Sequence, residues 1–193
     1  MSYATKRFAI ICVAVPGSGK TSVAKKIIAM NPDLDLVCLE LDQFYNGVTS
    51  DNEAYVAAIE KTIKKHNVIL CKNHHTASSL QEVLAIMKRN HIPYVICNFV
   101  PDHTATMTKD ELNAYMDILL DRIEGRTDGS SHLVINETNS RARARTIIKH
   151  VFLKQYEEPE EPFMKINYLL PVETNAELIT KHLRNEYGMI NKK

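Results

Sequence analysis

The chain has 193 residues, 45% hydrophobic and 24% charged, with a formal net charge of +1, which predicts one globular domain over 1–193 with a substantial core. So small a charge excludes a protein that coats nucleic acid by bulk electrostatics, although not one that grips an end. No apolar run approaches the ~20 residues of a membrane helix and no signal peptide is visible, so a soluble cytoplasmic or nuclear protein without membrane partners is expected.

The first apolar run, Phe8 to Val15, predicts a buried strand. It leads into Pro16-Gly17-Ser18-Gly19-Lys20-Thr21-Ser22 and then a helical pattern from Lys20 to Met30. A glycine-rich turn between strand and helix points successive N–H groups into one concavity, to which the helix adds its positive dipole end. This is a phosphate-binding loop for a nucleoside triphosphate: Lys20 bridges the terminal phosphates and the Thr21 hydroxyl ligates Mg²⁺. Ala14 stands where such loops usually begin with glycine.

Asn31-Pro32 stops the helix, and a second strand follows at Leu36 to Leu41, closed by Asp42. In a parallel sheet that end faces the phosphate loop, where an ionised aspartate accepts the proton of an attacking hydroxyl. Glu40 shares the strand face and is the weaker candidate for that role. A helix over Glu53 to His66, with Asp51 as its cap, precedes a third strand at Val68 to Cys71. Further helices are predicted over Ser78 to Asn90 and Lys109 to Glu124, around a fourth strand at Tyr94 to Val100. Gly125 sits at the helix end.

The polar run Gly125 to His132 reads as part of a small lid over about 122–135. Arg122 and Arg126 are four apart and share a helical face, from which a guanidinium can close over the transferring phosphate. A fifth helix over Arg141 to Tyr156 carries Arg141, Arg145 and Lys149 as one basic stripe. A charge run of this kind is usually a solvated face, and contact with substrate phosphates is the less favoured reading. The acidic stretch Glu157-Glu158-Pro159-Glu160-Glu161 comes next, then a fifth strand at Ile166 to Leu170 and a closing helix at Ala176 to Tyr187.

Strands alternating with helices predict a three-layer α/β/α fold on a five-stranded parallel sheet. Cys12, Cys38, Cys71 and Cys97 lie in or beside strands without Cys-x-x-Cys spacing and read as small core residues, not metal ligands or disulfides. No histidine pair has zinc-binding spacing on a helix.

Taken in order, these motifs resemble the polynucleotide 5′-hydroxyl kinase module of fungal-type tRNA ligases. The resemblance runs from about Phe8 to Val172 and includes the Ala-initiated loop, Asp42, Ile69-Leu70-Cys71-Lys72-Asn73-His74-His75, Asp121-Arg122-Ile123-Glu124-Gly125-Arg126 with His132, and Val151-Phe152-Leu153-Lys154-Gln155-Tyr156. It implies a P-loop kinase-like fold and Mg²⁺-dependent transfer of the γ-phosphate of GTP or ATP to the 5′-OH end of RNA, as in healing of a cleaved tRNA. It further implies a chain that stands alone or forms one domain of a larger RNA ligase. Lys20, Asp42, Arg126 and Arg122 are then catalytic, and Tyr45, Lys72, Asn73, His75 and His132 contact substrate. The family's turn after the third strand resembles Asp-Arg-Asn-Asn-His, so Cys71, Lys72 and His74 depart from it. Tyr45 stands where phage-type kinases carry arginine, and it or Phe44 is expected to stack on a base. A small-molecule or nucleoside kinase and a non-catalytic nucleotide switch are the other readings of the same residues.

Overall fold

The computed structural model describes residues 7–45, 49–102, 104–125 and 140–187. Five strands, β1 (Ala9–Val13), β2 (Leu36–Leu39), β3 (Asn67–Leu70), β4 (Tyr94–Asn98) and β5 (Phe163–Lys165), form one sheet in the order β2-β3-β1-β4-β5. Every neighbouring pair is parallel, with Ile11 opposite Leu70 and Ile96, and Asn98 opposite Val13 and Lys165. Helices α1 (Lys20–Met30), α2 (Asn52–Thr62), α3 (Ala77–Arg89), α4 (Lys109–Glu124), α5 (Arg141–Ile147) and α6 (Val172–Tyr187) complete the fold.

Strand β1 is buried along its whole length because both faces are covered. Side chains alternate across a strand. Ile10 and Cys12 therefore pack with Val23 and Ile27 of α1 and Ile179 and Leu183 of α6. Ala9, Ile11 and Val13 meet Tyr55 and Ile59 of α2 and Leu80, Val83, Leu84 and Met87 of α3 on the opposite face. A third cluster lies beyond the strand ends, where Val15 and Val100 pack on Tyr115, Leu119 and Ile123 of α4 and Ala144 of α5. That cluster sets α4 against the loop after β1.

Local chemistry fixes the helix starts. Asp51 accepts from the Ala54 amide, Thr76 from Ser79, and Ser140 from Arg143. Thr108 and Glu111 form a reciprocal capping box on α4.

The predicted pattern needs correction in four places. The fifth strand is Phe163–Lys165, not Ile166 to Leu170. Asn167 breaks the apolar run: its side-chain oxygen accepts from the Leu169 amide and its carbonyl from Leu170, turning the chain. Strand β2 ends at Leu39, and Asp42 lies in a 3₁₀ turn, Leu41–Phe44, capped by Glu40 and Gln43. The fifth helix is α-helical only to Ile147 and continues as a π-helix, Ile148–Leu153. Gly125 ends α4 with φ −70°, so its freedom to adopt positive φ is not used. Arg126, His132 and most of the predicted lid lie outside the described residues.

Candidate active site

The loop after β1 is shaped by two glycines. Gly17 has φ 81° and Gly19 φ 90°, left-handed conformations that side-chain-bearing residues rarely adopt. A Cβ on Gly17 would stand 2.9 Å from the carbonyl carbon of Leu119 and nearer still to its oxygen. The loop thus rests directly on the backbone of α4. Gly19 caps α1 without any side-chain hydrogen bond, so the first amides of the helix face the loop unserved by a side chain. The Ser18 hydroxyl is buried in the same place and has no partner among the described residues. A concavity of outward amides with an orphaned hydroxyl suits a polyphosphate.

Two cavities of about 360 Å³ flank this loop. The first is lined by Pro16, Lys20 and Thr21, by Glu40 and Asp42 from the β2 side, and by Lys72, Asn73, His74 and His75 from the turn after β3, with Phe152 closing it. The second is lined by Gly17, Ser18, Gly19 and Ser22, by Arg122 of α4, and by Tyr168, Leu170 and Asn175. The loop forms the wall between them.

In the first cavity the Thr21 hydroxyl donates to Glu40 Oε2 at 3.1 Å. A threonine oxygen so oriented keeps its lone pairs for a cation, with a carboxylate behind it. Glu40, set aside in the sequence as the weaker acid, is therefore in contact with the loop. Among the described residues no group of three or more His, Cys, Asp or Glu side chains is placed to hold a metal. A Mg²⁺ here would take one protein hydroxyl and the phosphates themselves, which matches this donor set.

The turn after β3 supplies the facing wall. The Asn73 carbonyl accepts from the Ala14 amide at 2.7 Å, tying the turn to the phosphate loop. Lys72 Nζ donates to Asn52 Oδ1 at 2.5 Å and stands 3.8 Å from Glu82. Burial pushes the Lys72 pKa below the usual lysine value and outweighs the opposing pull of Glu82. The His75 ring packs on Phe152 at 4.8 Å between centroids, and burial lowers its pKa against the opposing effect of a hydrogen bond to Gln155. The His75 carbonyl accepts from the Glu157 amide, and the Glu157 carboxylate accepts from the Ala77 amide at 2.5 Å. Glu161 pairs with Lys88 near the other end of α3. The acidic stretch is thus a strap along α3 that braces this turn.

In the second cavity Arg122 donates to the Ser18 carbonyl at 3.4 Å and to the Tyr168 carbonyl at 2.6 Å. Its guanidinium therefore lies against the loop. Asn175 donates through Nδ2 to the Asn167 carbonyl, while its Oδ1 is buried without a partner among the described residues.

Three further groups singled out in the sequence lie as follows. Tyr45 is 44% exposed, forms an isolated bridge with Ser50, and does not line the first cavity, whereas Ser50 does. The Phe44 ring is committed to an edge-on contact with Tyr55 at 5.8 Å and is not presented for stacking. Two members of the basic stripe are ion-paired: Arg141 with Asp121 at 2.7 Å and with Asp117 and Glu124, and Arg145 with Asp117. His74 and Phe152, quoted in the sequence only as parts of longer motifs, and Tyr168, which no motif includes, also line the cavities.

A search of curated proteins finds no match. Among solved structures, a fungal RNA kinase superposes with a TM-score of 0.66 at 16% identity, covering 98% of this chain and 91% of its own. A gluconokinase from Sinorhizobium meliloti superposes at 0.57 with 14% identity, covering 96% and 99%. An APS kinase from Mycobacterium tuberculosis, solved with AMPPNP and APS, superposes at 0.56 with 13% identity, covering 93% and 98%. The shared architecture is that of P-loop kinases. The family model for the tRNA ligase kinase domain matches residues 9–165, from the first strand through the last, and the chain belongs to that family.

Proposed function

We propose that this protein is a Mg²⁺-dependent polynucleotide 5′-hydroxyl kinase that moves the γ-phosphate of GTP or ATP to the 5′-OH end of RNA during RNA repair such as tRNA splicing, alone or as part of a larger ligase. The observation that carries the reading is that Lys20, Thr21 and Asp42 share one cavity with Lys72, Asn73 and His75. Donor and acceptor machinery meet there. The second cavity, beyond the loop, takes the nucleoside of the donor beside Arg122 and Tyr168.

In this reading the loop amides and Lys20 hold the phosphate chain, and Thr21 with Glu40 behind it holds Mg²⁺, which offsets phosphate charge when bound. Asp42 orients the acceptor hydroxyl and takes its proton as the new P–O bond forms and the β–γ bridging bond breaks. Lys72 offers a cation to the acceptor strand, and Arg122 supplies positive charge from the opposite side of the loop. Arg126 and His132 belong to the same lid in this reading. One nucleoside suffices to fill about 360 Å³ of acceptor space.

The test is γ-phosphate transfer to four acceptors side by side: a 5′-OH oligoribonucleotide, a 5′-OH oligodeoxynucleotide, free nucleosides, and small alcohols such as gluconate, each with GTP and with ATP. Oligoribonucleotide labelling supports the reading. Labelling confined to nucleosides or small alcohols replaces it with a metabolic kinase.

A further inference from the structure

His74 lies in the turn after β3 with φ 46°, in left-handed backbone, and is only 1% exposed. Such strain in a side-chain-bearing residue persists where the surroundings fix it, and here the residue is part of the lining of the acceptor cavity. The ring is held by Ser79. His74 Nδ1 is 3.1 Å from the Ser79 carbonyl oxygen and 3.3 Å from its hydroxyl. A carbonyl only accepts, so Nδ1 carries the hydrogen and Nε2 presents a lone pair. Burial, reinforced by Lys72, lowers the pKa to about 3, so the ring stays neutral at physiological pH.

That Nε2 is buried and has no partner among the described residues. Tyr55, with its ring 6.3 Å away, does not supply one, because its own hydroxyl equally lacks a partner. Asn73 Oδ1 and His75 Nε2 are also unpartnered, but both residues are only half buried. His74 is the acceptor whose tautomer and position are fixed before a ligand arrives. It calls for a ligand that brings a donor.

We propose that His74 Nε2 accepts a hydrogen bond from the 2′-hydroxyl of the acceptor's terminal ribose and thereby selects RNA ends over DNA ends. The inference rests on the polynucleotide kinase reading above. On a 5′-terminal ribonucleotide the 5′-hydroxyl is engaged by Asp42, the 3′-oxygen is esterified to the next phosphate, and base donors change with sequence. The 2′-hydroxyl is the donor that every RNA end keeps and DNA lacks.

The experiment uses two 5′-OH oligoribonucleotides that differ only in the first sugar, ribose or 2′-deoxyribose, and measures kcat/KM for wild type, His74→Phe and His74→Asn. The first variant keeps the ring area without the acceptor; the second tolerates left-handed backbone but is too short to reach. Binding of a fluorescent non-hydrolysable nucleotide, unchanged within about twofold, verifies folding, and His74→Asn decides if His74→Phe fails that check. Wild type should favour the ribose end by about tenfold, the discrimination one hydrogen bond provides. Both variants should lose that preference, the loss falling on the ribose end alone. Equal losses on both ends, or a wild type indifferent to the first sugar, overturns the inference and leaves the kinase reading standing. Transfer to no oligonucleotide at all overturns both.

Discussion

Replacing Gly17 with alanine tests whether the phosphate loop is built on α4. Two effects add. The residue sits at φ 81°, where an L side chain costs about 1–2 kcal/mol. Its Cβ would also stand 2.9 Å from the Leu119 carbonyl carbon and 3.0 Å from Leu119 Cα, both backbone atoms that cannot swing aside, which adds about 1–3 kcal/mol. A total of about 3 kcal/mol lowers Tm by about 6–12 °C in a domain of this size. Gly19 is the internal control. It shares the positive φ, at 90°, but a Cβ there meets only Arg122 Nη1 at 3.8 Å, ordinary contact. Gly19→Ala should therefore show the conformational part alone, about 2–8 °C. Thermal unfolding without nucleotide reads both, so that lost ligand binding does not enter. If the two variants melt within about 1 °C of each other, the contact between the loop and α4 is not as described and the reasoning fails.

Three further outcomes follow from the cavity walls. Asp42→Asn should slow phosphate transfer by about 10²–10⁴-fold with nucleotide affinity intact, and transfer at the wild-type rate removes it as the base. Glu40→Gln should raise the Mg²⁺ concentration for half-maximal nucleotide binding by about tenfold, measured by titrating Mg²⁺ against a fluorescent nucleotide; an unchanged midpoint refutes a role for Glu40 behind Thr21. Phe152→Ala, which removes the ring packed on His75, should raise the acceptor KM by about fivefold and leave the nucleotide KM alone, whereas parallel shifts in both would place Phe152 outside the acceptor wall.

Much of the fold was readable because its strands are buried on both faces: Ala9–Val13 and Tyr94–Cys97 are continuous apolar runs, as strands of a covered parallel sheet are. The glycine-rich loop was readable because its chemistry is local in sequence. Where the reading failed, hydropathy was outvoted by one polar residue or by a distant partner. Asn167 turns an apolar run that otherwise resembles a strand, while Phe163–Lys165, though short and half exposed, pairs with β4. Arg141 and Arg145 looked like a free stripe because Asp117, Asp121 and Glu124 belong to another helix, and nothing in spacing announces that the two helices face each other. The place of Glu40 behind Thr21 was not legible, since a 3₁₀ turn capped by Glu40 stands where the sequence predicts the end of a strand. His74 was legible only as a departure from the family's turn: neither its backbone angle nor its missing partner is written in residue types.

The strap formed by Glu157 and Glu161 has a temporal consequence. The Ala77 amide at the start of α3 is served by a carboxylate 80 positions later, and Lys88 is paired by one 73 positions later. During synthesis, the phosphate loop and the first three strands leave the ribosome well before this brace exists. Contacts of such long sequence separation form late. The turn after β3, which walls the first cavity, is thus braced only once residues 157–161 have been made, long after its own residues have left the ribosome.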